Sequence, residues 1–427
     1  MPCVSVVPPY HHKKKNFSFS KNNVMLRKII GFPVVGEQPL DTFDIIIIGA
    51  GMAGASVAAE LSATARVLLL EREEQPGYHS TGRSAAAYIP SYGYESPSLN
   101  LLTRCSLSFL QQPPGTFQLS SLLHRRGLLT LAPPGQEAAA ETEFEHLRQE
   151  IPGVVRADGD FIRGKIPFVR DEYLTFGWYE PDVFDMDVHA MHDGYLRTLR
   201  QHGGRLMTST DITAVERACG QWHVSTRGGT FSAPLLVNAA GAWADQVAAL
   251  AGVDGIGLMP LRRTAILLDP PEGVDVSGWP LVLASDGSFY LKPDAGLILA
   301  SPADEHPSQA CDAQPEELDI AYAAHYAQEA LQLEVRQVKH SWAGLRNFVA
   351  DRAPVIGFAA DAEGFFWMAG QGGHGIQTAP AAARLAADLL LHNKVPADLD
   401  QAGFDPAWVS PQRLQPTPAA AGINSAN

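Results

Sequence analysis

Three glycines and one acid carry the clearest chemistry in this sequence. Gly49, Gly51 and Gly54 are spaced Gly-x-Gly-x-x-Gly, and Glu71 ends the next apolar run. Gly49 permits a tight turn, Gly51 lets the backbone approach a pyrophosphate with no Cβ in the way, and Gly54 lets a helix pack close to a strand. A helix starting here turns free N–H groups and a positive dipole end toward phosphates. Glu71 at a strand tip accepts bonds from adenosine ribose hydroxyls, and its charge disfavours a 2′-phosphate and hence NADP. The stretch Ser80-Thr81-Gly82-Arg83-Ser84, followed by small residues, offers hydroxyls and a cation to a large planar ligand, or is a simple loop with a helix start at Ser84. Tyr92-Gly93-Tyr94 reads as an exposed aromatic loop able to act as a lid. Cys3, Cys105, Cys219 and Cys311 show no metal or redox spacing and read as reduced thiols in a cytoplasmic protein. The histidines lack zinc-type spacing, so no metal site is expected.

These groups need elements to hold them. Ile45–Ile48 has no polar face, as befits a parallel strand buried on both sides. A small-residue helix pattern and the apolar run Val67–Leu70 complete a βαβ unit. A second buried strand, Ala233–Val237, feeds a small-residue turn around Gly241. A third, Phe365–Ala369, feeds the glycine loop Gly370–Gly375 and an alanine-rich helix predicted over Ile376–His392. Between them lie strand-rich segments, with helices predicted near Glu137–Glu150, over 188–203 and around Tyr322 and Tyr326. The nucleotide-binding elements are therefore spread along the chain, and one nucleotide domain is interrupted twice by a substrate domain.

The chain of 427 residues is 46% hydrophobic and 18% charged, ordinary for a packed enzyme. A net charge of −14 argues against nucleic acid or anionic membrane as a partner. No run is long and apolar enough to predict a spanning helix. Residues 1–40 hold Lys13, Lys14, Lys15, Lys21, Arg27 and Lys28, with no acid before Glu37. They read as a disordered basic extension, or as sequence upstream of a start near Met25, in preference to a targeting peptide.

Several stretches together resemble the D-amino-acid-oxidase-like FAD-dependent oxidoreductases, and most closely bacterial D-arginine dehydrogenase. They are Leu70–Glu73 with Gln75–Ala86, Val237–Trp243, Phe289–Gly296, Trp342–Arg346 and Gly370–Gln377 apart from its histidine. The resemblance implies an α/β fold with a Rossmann-like FAD-binding domain and an interleaved α+β substrate domain on an antiparallel sheet. The FAD-binding domain spans 41–100, 186–260 and 340–410, the substrate domain 101–185 and 261–339, and 411–427 forms a tail. It also implies non-covalent FAD, hydride transfer from the α-carbon of a D-amino acid to flavin N5, and hydrolysis of the imino acid to keto acid and ammonia. Oxygen, a quinone or another carrier would reoxidise the flavin.

The same resemblance implies a carboxylate clamp of Arg263 and Arg346, substrate contacts from Tyr290 and Tyr92, and a backbone carbonyl from Gly373. Cofactor contacts fall on Ala53, Arg72, Ser80, Thr81, Gly82, Ser84, Ala85, Ala240, Gly241, Trp243, Gly344, Gly372, Gly375, Ile376 and Gln377, beside Gly49, Gly51, Gly54 and Glu71. A helix N-terminus near Ile376 would stabilise negative charge on the flavin pyrimidine ring. The chain departs from the arginine enzyme at Ala87, Ile89 and His374, and at Leu128 where an acid would meet the substrate guanidinium. A less polar side-chain pocket follows. The alternatives are a 2-hydroxy-acid or a secondary-amine (sarcosine- or glycine-type) oxidoreductase, and a catalytically silent flavin-binding protein.

Overall fold

A computed structural model of the chain describes residues 41–414. The basic segment 1–40 and residues 415–427 lie outside the described residues. The organising element is a six-stranded sheet in the order Arg205–Met207, Val67–Leu70, Ile45–Ile48, Leu235–Asn238, Phe365–Ala369, Val355–Phe358. All its pairs are parallel except the last. Ile45–Ile48 is buried along its whole length, as a run with no polar face requires. One face is covered by helices Met52–Leu61, Pro97–Gln111, Val188–Gln201 and Ala379–His392. The other carries a four-stranded sheet and the helix Ala244–Leu250.

Pro234 divides the strand expected over 233–237. Gly229–Ala233 joins the four-stranded sheet and Leu235–Asn238 the parallel one. Proline has no N–H to donate to a ladder, so the chain changes sheets there. The alanine-rich helix begins at Ala379, three residues later than expected. Positive φ at Gly370 and Gly372 keeps the preceding chain in turns, and Pro380 suits the first helical turn. Helix Pro97–Gln111 packs within the core of the parallel sheet, although most of it falls in the segment assigned to the substrate domain. Residues 411–414, at the start of the expected tail, form a 3-10 turn with Pro411 buried and Arg413 paired to Asp351 at 2.7 Å.

The second large sheet has nine strands and is antiparallel except where Leu281–Ala284 runs parallel to Leu128–Leu131. One face packs Leu129, Ile266, Val282, Leu291 and Ala300 against helix Glu317–Ala330. Alternation along the strands then turns Arg263, Tyr290, Lys292, Leu283 and Leu128 to the opposite face. Glu180 sits directly across from Leu128 on that face.

Two stability predictions follow from the packing. A Cβ at Gly54 would run into the Gly49 carbonyl, a backbone atom that cannot move aside. Gly54→Val should cost about 1–3 kcal/mol or more, read as a lower urea midpoint. Glu180 is 4% exposed and its Oε2 has no partner. Burial pushes its carboxyl up to about 7. The folded chain then holds a proton that the unfolded chain loses, so stability falls as pH rises from the ordinary glutamate range to about 7. The loss should be on the order of 2–3 kcal/mol. Glu180→Gln should flatten this slope in urea titrations at pH 5 and pH 8; an unchanged slope would show that Glu180 is ionised in the fold.

Candidate active site

The turn Gly49–Met52 shows why each glycine is needed. Gly49 has φ +99°, and a Cβ there would lie 2.5 Å from the Ala239 carbonyl. Gly51 faces open space apart from Thr81 Oγ1, so a ligand can approach its backbone. Helix Met52–Leu61 starts immediately, and its N-cap residue, Gly51, has no side chain to cap it. Met52 N donates to Thr81 Oγ1 at 2.9 Å. Glu71 is 8% exposed; its Oε2 accepts from Ala50 N at 2.8 Å and its Oε1 from Glu73 N at 2.9 Å. The acid expected to bind a ribose also braces the glycine turn. His192 supports the same turn: burial holds its imidazole below the ordinary range, and Nε2–H donates to Ala50 O at 2.8 Å.

A cavity of about 380 Å³ runs from this turn between the two large sheets. Gly49, Gly51, Ala53, Glu71, Arg72, Ser80, Thr81, Ser84 and Ala85 line it, with Ala240, Gly241, Trp243, Gly344, Gly372, Gly375 and Ile376. Arg72 lies over the Trp243 ring at 4.5 Å, and His79 packs on Trp243 at 4.6 Å. The loop at 80–85 is tied to the clamp-bearing strands. Ser80 Oγ donates to Leu345 O at 2.6 Å, Arg83 Nη1 to Ala343 O at 3.0 Å, and Lys292 Nζ to Ala85 O at 3.0 Å.

Three expected cofactor residues lie off the cavity wall. Gly54 faces the strand turn, as close packing requires. Gly82 closes a tight turn, its N–H donating to Gly77 O at 2.7 Å, and leaves no room for a Cβ. Gln377 does not reach the cavity: Nε2 donates to Thr103 Oγ1 at 3.0 Å and Oε1 accepts from Ile89 N at 3.1 Å, which spends both ends of the amide. Asn347 and Gln371 line the cavity and were not anticipated. Asn347 Oδ1 and Gln371 Nε2 are buried and without partners. An unmet acceptor and donor suit a ligand with a polar ring edge, as a flavin has. Gln371 belongs to the glycine loop and Asn347 directly follows the Trp342–Arg346 stretch, and only the fold brings the two together.

At the far end the cavity meets Arg263, Tyr290, Arg346 and Gly373. Strands Met259–Leu268 and Val338–Phe348 pair Arg263 with Gly344 and Leu261 with Arg346, so the two arginines are diagonal neighbours on one face. Arg263 Nε donates to Asp304 O at 2.7 Å and Nη2 to Glu305 at 3.2 Å. Burial, and then the Arg346 charge, push its guanidinium down. Arg262 turns to the other face, toward Glu316 and Asp319. Burial opposes the Arg346 charge, yet Tyr92, Tyr290, Glu305 and Asp304 hold its guanidinium above the ordinary value. Among the described residues no carboxylate lies within ion-pair distance of Arg346. Tyr92 is off the cavity wall and half-buried, not exposed: Arg346 Nη1 donates to its Oη at 3.3 Å, and its ring stacks on His374. A side chain at Gly373 would strike Tyr92 Oη at 2.5 Å and Arg346 Nη1 at 3.1 Å.

Known proteins place this architecture. The structure of glycine oxidase from Geobacillus kaustophilus superposes with a TM-score of 0.74 at 23% identity, covering 87% of this chain and 98% of that one. L-proline dehydrogenase from P. horikoshii gives a TM-score of 0.75 at 19% identity, over 88% and 98%. Both likenesses concern the fold. Among sequences, the FAD-dependent oxidoreductase domain-containing protein 1 of Bos taurus is 25% identical over 83% of this chain and 82% of its own length. Hydrogen cyanide synthase subunit HcnC of Pseudomonas aeruginosa is 25% identical over 90% and 99%. Among the described residues no helix is long and apolar enough to cross a membrane. The family model described as DAO, FAD dependent oxidoreductase, matches residues 44–389. With the glycine turn, the acid at its strand tip and the unmet polar atoms along the cavity, this makes the chain a member of the DAO family of oxidoreductases, with FAD as its cofactor.

Proposed function

We propose that this enzyme oxidises the Cα–N bond of a small amino acid, and that its preferred substrate is a D-amino acid with an apolar side chain. The observation that carries this reading is Arg346, aimed with Arg263 into the end of the cofactor cavity and lacking a carboxylate partner. Two neighbouring guanidiniums ask for an anion, and a substrate carboxylate matches their planar forks. Bound FAD supplies a two-electron acceptor. The chain's own residues bind and orient: the arginines hold the carboxylate, Tyr92 and Tyr290 flank it, and the Gly373 carbonyl accepts from the substrate amine. An amine bound neutral needs no strong base. The amino acid gives up the α-hydrogen with its electron pair and a proton from nitrogen, and water hydrolyses the resulting imino acid to keto acid and ammonia. Oxygen, a quinone or another carrier takes the electrons onward. We place the reaction in the cytoplasm, on the reading that widely scattered cysteines without redox or metal spacing are reduced thiols.

The side-chain preference rests on an apolar cluster off the cavity wall that reaches the clamp region through the strand pairing of Tyr290. Leu128, Val183 and Leu281 form an apolar cluster with Ala87, Ile89 and Leu283, and Tyr290 pairs directly with Leu283. A guanidinium here would lose water, and Glu180, across from Leu128, would have to ionise against its burial to meet it. Relatives named glycine oxidase, 24% identical, support including glycine among the substrates tested.

Anaerobic flavin bleaching with D-amino acids, L-amino acids, glycine, N-methyl amino acids and 2-hydroxy acids tests the reaction class. Bleaching by 2-hydroxy acids alone would refute amine oxidation. Arg346→Ala should lower kcat/KM by at least about a hundred-fold, since hydrogen bonds to charged groups contribute about 1.5–3 kcal/mol each. FAD content should stay near wild type; unchanged activity would make Arg346 structural. With an artificial electron acceptor, D-Leu, D-Met or D-Phe should exceed D-Arg in kcat/KM, and a clear preference for D-Arg would mean that an acid meets the cation after all.

A further inference from the structure

His374 is the one polar side chain beside the clamp with no hydrogen bond at either ring nitrogen, among the described residues. It is 7% exposed. Its ring lies under the Tyr92 ring, with centroids 4.1 Å apart and planes 18° apart. Gly93 follows with φ +79°, and a Cβ there would lie 2.7 Å from His374 Nε2. The imidazole is therefore sealed by the loop that carries Tyr92, and the Tyr92 hydroxyl in turn meets Arg346.

We propose that His374 is a positioning residue that seats Tyr92 against Arg346 only while the imidazole is uncharged, so that acid lifts the Tyr92 loop and weakens binding of carboxylate substrates. A neutral imidazole with orphaned nitrogens costs some stability under the loop; a charged one would be buried with no acceptor at either N–H. The groups facing it from neighbouring elements offer no compensation. Strand Val338–Phe348 presents Arg346 and the following loop presents Arg352, both cationic. Leu99, beside Gly93, comes from helix Pro97–Gln111. On the loop itself Glu95 engages Tyr94. Burial first, then Arg346 and Arg352, push His374 down to about 3 while the loop is closed. Once the loop lifts, water returns the imidazole to its ordinary range. A depressed value in the closed state means that closure is fully favoured above that range and is lost as pH falls through it. Glu180, near Ser91 on the same loop, has the opposite sign, because its protonation favours burial. An acid-induced opening is thus attributable to His374.

The loop can be read without turnover. Hydrogen exchange of the peptide covering 89–96 in the FAD-loaded enzyme, corrected for intrinsic rates, should lose about eight-fold in protection between pH 7 and pH 5.5. Helix Ala379–His392 should show no change. In His374→Phe, which keeps the stacked ring and removes the titration, protection should be the same at both pH values. Binding of pyruvate, whose carboxylate stays ionised throughout, should weaken in wild type only in proportion to the fraction of loop that opens, and not in His374→Phe. The substrate arm rests on the carboxylate-clamp reading: absence of pyruvate binding at pH 7 would refute the clamp, while the loop exchange still decides the role of His374. Constant wild-type protection across this range, or an acid loss that persists in His374→Phe, overturns the proposal.

Discussion

A guanidinium facing a cavity end with no carboxylate of its own, beside a second guanidinium that meets Glu305, is the arrangement on which this site depends. Burying such a pair is unfavourable until an anion arrives. Tyr92 meets Arg346, while the Asp304 carbonyl and Glu305, which also pairs with Arg352, meet Arg263. Strand register makes the pairing possible. Slipping Val338–Phe348 by one residue against Met259–Leu268 would turn Arg346 to the helix-covered face.

The cofactor cleft depends on the same strands. The loop at 80–85 closes over the cavity and is tied to Leu345, Ala343 and Lys292. Trp342 Nε1 also donates to Arg83 O at 3.0 Å. The segment that faces the cofactor and the strand that carries the clamp thus share one set of hydrogen bonds. A shift of either would move the substrate end relative to the flavin end, and orientation is where much of the catalytic effect in such a site resides.

The Tyr92 loop lies between two buried titratable groups of opposite tendency, Glu180 near Ser91 and His374 under Tyr92. Each is held neutral chiefly by desolvation, and each has an unmet polar atom. The loop is therefore the part of the site whose position responds most directly to pH.

Much of the scaffold was legible in the linear sequence because local rules dominate there. Four consecutive β-branched residues at 45–48 can only be a strand buried on both faces, and Gly49 and Gly54 mark a turn with no room for a side chain, while Gly51 leaves its backbone open to a ligand. The helix expected near Glu137–Glu150 forms there. The family's motifs likewise pointed to Arg263, Tyr290 and Arg346, which the fold brings to one cavity. What only tertiary structure decided concerns contacts between distant segments. Pro234 divides one apolar run between two sheets. Gln377 is spent on Thr103 and Ile89, and so misses the cavity. Asn347, Gln371, Glu180 and His374 are ordinary polar residues in the sequence; burial without partners gives them their significance. Hydrogen-bond satisfaction and desolvation depend on what surrounds an atom in space, and neighbours along the chain do not determine that.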